Sequence, residues 1–143
     1  MLPINEKSAL VMDHLVEGLD RENRSKKIKN CTAFMPVTIE YLQEIPEGVL
    51  FSVCHYYEQN GDLMRDPEVV FIRREKNLTV ETKGSFYFPV SFQQDNPVIY
   101  QELISFDENG NFLSLAIQQQ RSCAEFGDTW MQNINYQQQL NLF

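Results

Sequence analysis

Between residues 55 and 68 the chain gathers His55, Tyr57, Asp62, Asp66 and Glu68 around an Asn60-Gly61 dipeptide. An imidazole beside a carboxylate is the minimal equipment of a general base or of a metal's outer shell, because the acid fixes the ring's tautomer and raises its basicity. Asn-Gly between strand-forming residues specifies a hairpin with a two-residue turn. Counting outward from that turn, Gln59 faces Asp62, Tyr57 faces Met64 and His55 faces Asp66. Alternation then places His55, Tyr57, Met64 and Asp66 on one face, and Glu68 extends it if pairing continues. Cys54, Tyr56, Glu58, Leu63 and Arg65 take the other face, where Glu58 and Arg65 are diagonal neighbours suited to an ion pair. Pro67 cannot donate to the ladder, and a bend there would swing both acids away.

As an active site this set is incomplete. No second histidine is placed by local spacing to complete a metal site. No serine or cysteine is paired with His55, and Cys54 points away from it in a regular strand. A glycine-rich phosphate loop, H-E-x-x-H and C-x-x-C are all missing. Catalytic candidates therefore reduce to His55 and Asp66, and no metal or cofactor is expected. The competing readings are scaffold, with Asp62 and Asp66 capping the turn, and a binding surface made of His55, Tyr57, Asn60, Asp62, Asp66 and Glu68.

The elements that would position these residues follow from hydrophobic spacing. Leu10, Val11, Leu15 and Leu19 recur at helical period and predict a helix over 7–20, with His14 at the border of the core. A basic connector over 21–33 follows, carrying Arg21, Arg24, Lys26, Lys27 and Lys29. Antiparallel strands are expected over 34–121: Val37–Leu42, Val49–Tyr57, Val69–Ile72, Thr79–Thr82, and a short one at Phe86–Val90 that Pro89 confines to an edge or a bend. Val98–Phe106 and Phe112–Gln119 flank a second Asn-Gly turn, with Phe106 facing Leu113, Ile104 facing Leu115 and Ser105 facing Ser114.

Ser122-Cys123-Ala124-Glu125 fits a capping box and opens a closing helix over 122–138. Its stripe is Phe126, Trp130, Met131, Ile134 and Gln138, with Trp130 as core anchor and Gly127 compensated by close packing. Residues 137–143 are expected to fray. The ensemble is a single α+β domain over 1–143: an antiparallel sheet of five to six strands, covered on one face by an N-terminal and a C-terminal helix in two layers.

Composition narrows the function classes. The first thirty residues hold six basic and five acidic side chains, the remainder six and fifteen, within a net charge of −8. An acidic body repels polyanions, so nucleic-acid binding is not expected, either through the basic cluster or by base stacking on Phe86, Tyr87 and Phe88. No apolar run is long enough to span a membrane, and no basic segment leads into an apolar one as in a signal peptide. Three scattered cysteines, Cys31, Cys54 and Cys123, suggest reduced thiols and a cytoplasmic setting.

The run from His55 to Glu68, followed by Tyr87-Phe88-Pro89, Phe92-Gln93-Gln94-Asp95 and Tyr100-Gln101-Glu102, resembles a family of small bacterial proteins known as a domain of unknown function. Trp130-Met131-Gln132-Asn133-Ile134 with Gln137 is similar to that family's closing helix, so the likeness spans roughly Met35 to Gln138. It implies a setting near plasmid, phage or conjugative-element genes and names no reaction. It also lends interest to the 93–97 loop, adding Gln94 and Asp95 to the binding candidates. The expected function is a small acidic, non-enzymatic accessory protein that binds another macromolecule, with a protein as partner. The alternative is a small hydrolase or metal-dependent enzyme using His55, Asp62, Asp66 and Glu68.

Overall fold

Six antiparallel strands lie side by side in the order in which the chain makes them: β1 (Ser25–Ile28), β2 (Val37–Ile45), β3 (Gly48–Gln59), β4 (Asp62–Glu75), β5 (Ser85–Asp95) and β6 (Val98–Glu102). A two-stranded hairpin, β7 (Ile104–Phe106) with β8 (Phe112–Leu115), forms a second sheet, and α1 (Glu6–Val16) and α2 (Ile117–Gln137) bracket the whole. The computed structural model describes residues 1–75 and 84–143; the strand expected at Thr79–Thr82 lies outside them.

The expected α+β architecture is observed. Both helices pack on one face of the sheet. Val11, Met12 and Leu15 of α1 and Trp130, Met131 and Ile134 of α2 meet the inward side chains of β2 to β5 in the main core. That these side chains alternate along the strands is the reason the sheet has an apolar and a polar face. On the opposite face, the β7–β8 hairpin closes a smaller cluster of Leu50, Ile72, Val90 and Ile104. The hairpin covers only that end of the outer face.

Several expectations are corrected. The basic connector contains a strand: β1 pairs with β2, and Lys26 and Lys27 stand opposite Ile39 and Thr38. Alternation of lysine with Ile28 carried too weak a signal beside the charge run. Helix α1 ends at Val16, since Gly18 takes a left-handed backbone (φ 82°) and Lys26 Nζ donates to the carbonyls of His14 (3.2 Å) and Glu17 (2.8 Å).

The strand expected over Val98–Phe106 is two strands. Leu103 is buried in the main core while Ile104 enters the outer cluster, so the chain changes sheets between them. Helix α2 starts five residues before the capping-box serine. Gln120, fully buried, donates to and accepts from the backbone of Leu2 at 2.8 Å and so brings the glutamine run into the helix. The C-terminal residues are held rather than frayed: Gln138 is buried, and Leu142 N–H donates to the Asn135 side chain at 3.1 Å.

The short strand expected at Phe86–Val90 runs on as β5 to Asp95, through part of the stretch read as a loop. Leu10 of the expected helix stripe is exposed. Two local readings stand. Pro89 sits beside a bulge at Val90, in a part of β5 that β6 does not reach. At Gly127 a Cβ would lie 2.9 Å from the Ile4 side chain, the close packing that its place in a helix required.

Candidate functional site

The β3–β4 hairpin turns at Asn60 and Gly61, both with positive φ (54° and 84°), as a type I′ turn demands. Gln59 pairs with Asp62 and Tyr57 with Met64, as counting from the turn requires. The register then breaks. Tyr56 pairs with Arg65 but Cys54 pairs with Glu68, so His55 faces two residues, Asp66 and Pro67, across a β-bulge. Pro67 has no N–H to give the ladder, which accounts for the break at this point. The extra residue reverses the alternation beyond it. Glu68 falls on the face of Cys54, opposite to the face of His55, and the expected His55–Asp66–Glu68 row does not form.

His55 points inward and is only 5% exposed. Its Nδ1 lies 2.9 Å from the Pro36 carbonyl oxygen, and its ring meets Trp130 edge-on at 5.5 Å. Burial pushes its pKa below the ordinary imidazole value, against the opposing pull of the Pro36 carbonyl and the Asp66 charge. A neutral ring sealed beneath a tryptophan lacks the access a general base needs. Asp66 itself is exposed.

On the outer face a different set assembles. Thr38, Cys54 and Glu68 stand in register across β2, β3 and β4, with Gln93 next on β5. Glu40 and Ser52 form the neighbouring row, and Ser52 Oγ donates to Glu68 Oε2 at 2.9 Å. Burial first, and then the Glu68 charge, push the Cys54 thiol up to about 12, so it stays protonated and carries no nucleophile. Tyr56 is likewise raised, by burial and by Cys54, Glu68 and Glu40.

The hairpin and the β5–β6 turn converge through Arg65. Its guanidinium forks onto the Asp95 carboxylate at 3.0 and 3.2 Å, and its backbone N–H donates to the same carboxylate at 2.7 Å. These bonds hold Asp95 below the usual carboxylate range. Arg65 therefore pairs with Asp95 rather than with Glu58. Gln94 closes its own turn, donating to the Pro97 carbonyl at 3.2 Å. Tyr57 lines a shallow groove with Lys27 and Glu40, while Asn60 and Asp62 are exposed at the turn.

The structure thus joins Arg65 to Asp95 and Glu68 to Ser52, and it separates His55 from all of them. Among the described residues, no three metal-ligating side chains converge. Ser52, Cys54 and Tyr56 were legible as every second residue of a strand otherwise rich in Val, Leu and Phe. That pattern marks a face and does not tell which strands lie beside it.

The family profile of DUF6908, a domain of unknown function, matches residues 9–140. No curated protein and no solved structure matches the chain. The chain belongs to the DUF6908 family.

Proposed function

We propose that this DUF6908 protein is a non-enzymatic accessory module that binds another protein through the helix-free face of its sheet. The observation that carries the reading is the separation of the two faces. The hairpin's histidine is buried under Trp130, and the outer face offers half-buried Glu40 and Glu68 with the exposed Glu102. A face whose described carboxylates stand with no histidine beside them and a thiol held protonated suits recognition better than bond cleavage. The turn residues Asn60 and Asp62, with Gln94 beyond the Arg65–Asp95 clamp, form its rim. The hydrolase reading loses its base, because His55 and Glu68 lie on opposite sides of the sheet.

The setting is a bacterial cytoplasm in which plasmid, phage or conjugative elements are present. The unpaired cysteines Cys31, Cys54 and Cys123 and the family resemblance support that part of the reading. Affinity capture with the full chain, from lysates of hosts carrying such elements, tests it. A stoichiometric protein partner that elutes with rising salt is expected; partner-free chain from several lysates would contradict it.

A further inference from the structure

β6 ends the sheet, and all five of its residues, Val98-Ile99-Tyr100-Gln101-Glu102, are exposed, Val98 by 81% and Tyr100 by 61%. The two-residue turn makes Asp95–Val98 the first hydrogen-bonded pair, so alternation turns the N–H and C=O groups of Ile99 and Gln101 away from β5. Among the described residues no hydrogen bond reaches those outward groups. Soluble proteins blunt such an edge with lysine, a mid-strand proline, a bulge or a covering element; among the described residues β6 has none of these.

Both sides of this edge are shaped. Towards the helices, a groove of about 460 Å³ runs between β6 and α2, with Gln101 at its lip and Phe92 and Phe126 on its walls, their rings 5.7 Å apart. Towards the outer face, Tyr100 and Glu102 border a second groove with Glu44, Asp107 and Glu108, and no lysine or arginine lines it. Glu44 reaches the exposed Arg21 at 3.5 Å; Glu102 and Glu108 make no ion pair among the described residues.

We propose that β6 is the docking edge for an extended basic segment of the partner protein, which adds antiparallel as a seventh strand. Alternate side chains of that segment are apolar and enter the Phe92–Phe126 groove. The intervening lysines or arginines lie over Glu102, Asp107 and Glu108. The assignment rests on the protein-binding reading above, gives it a partner chemistry, and extends its contact from the helix-free face across the β6 edge to the helix side. A second copy of this chain fits less well, since it would bring another strand without cations and another net charge of −8 to the same edge.

The probe is a fluorescein-labelled heptapeptide of alternating lysine and valine, read by anisotropy against the full chain. Saturable, salt-sensitive binding is expected, with no binding of the glutamate-for-lysine peptide. Residues facing Ile99 and Gln101 must donate to β6, so N-methylation at the valines should weaken binding by about tenfold or more, and at the lysines by far less. Ile99→Pro, shown folded by circular dichroism, should bind at least about tenfold more weakly. Tyr100→Lys keeps every ladder N–H and should weaken binding by repulsion alone.

Absence of binding, or binding indifferent to valine N-methylation, would overturn the edge assignment. So would a dimer in sedimentation that Ile99→Pro dissolves, because the edge's occupant would then be a second copy. If a partner is still captured from lysate by Ile99→Pro, the edge assignment fails and the protein-binding reading stands.

Discussion

The two edges of the sheet are finished in opposite ways. β1 is four residues long and carries two lysines, one of them docked on the carbonyls that end α1. The chain after it, from Asn30 to Met35, is tied to the end of α2 by Gln138, which accepts from Asn30 N–H at 2.9 Å and donates to the Met35 carbonyl at 3.0 Å. β6 carries no cation, and no segment pairs with its free side among the described residues. Protection against edge-to-edge pairing is thus built at one end of the sheet and omitted at the other. The difference points to β6 as an edge kept open for use.

The largest expected effect lies at the closed end. Gln138→Ala removes a buried side chain and its bonds to the part-buried backbone groups of Asn30 and Met35, which costs on the order of 1–3 kcal/mol. Urea unfolding would read this as a midpoint drop at unchanged slope. A loss below about 0.5 kcal/mol, within the range of ordinary surface changes, would mean the segment does not depend on α2.

A second effect is set by pH. His55 has a folded pKa below its unfolded value, so the unfolded chain takes up the proton first as pH falls. The stability from a neutral His55 is therefore present above about 6.5 and declines as pH drops through that value towards the folded pKa. Urea midpoints at about pH 7.5 and 5.5 should differ in that direction, and His55→Phe should flatten the difference. An unchanged slope in the variant would show that other groups cause it.

Lys26→Ala should cost about 1 kcal/mol by uncapping α1, seen as a lowered melting temperature. The smallest effect is expected at the open end. Tyr100→Lys should change stability by less than about 0.5 kcal/mol while making the protein more resistant to aggregation on heating. A large destabilisation would show that β6 is already covered.

Much of the fold was legible in the residues, though neither edge of the sheet was, and the limits have physical causes. The Asn60-Gly61 turn, the Tyr57–Met64 pair, the Ile104–Leu115 pair and the layered α+β plan follow from turn chemistry and alternation, which act over a few residues. At the second Asn-Gly the turn is longer. Asp107 Oδ1 accepts from the N–H groups of Asn109 and Asn111, and Phe106 pairs with Phe112 rather than Leu113. A side-chain acceptor at the start of the loop outcompeted the two-residue turn. At His55 the reading failed for a related reason. Pro67 signalled a break, but whether it would end the strand or insert a bulge depended on where β5 lay. The Arg65–Asp95 clamp was hidden because its partners are thirty residues apart and meet only through the sheet order.

The most direct test compares capture by the wild-type chain with capture by Ile99→Pro and Asp66→Asn from the same lysate. The account predicts that Asp66→Asn keeps the partner and Ile99→Pro loses it, since β6 carries the contact and Asp66 lies outside it. Loss of the partner from Asp66→Asn with retention by folded Ile99→Pro would contradict it and return the function to the hairpin.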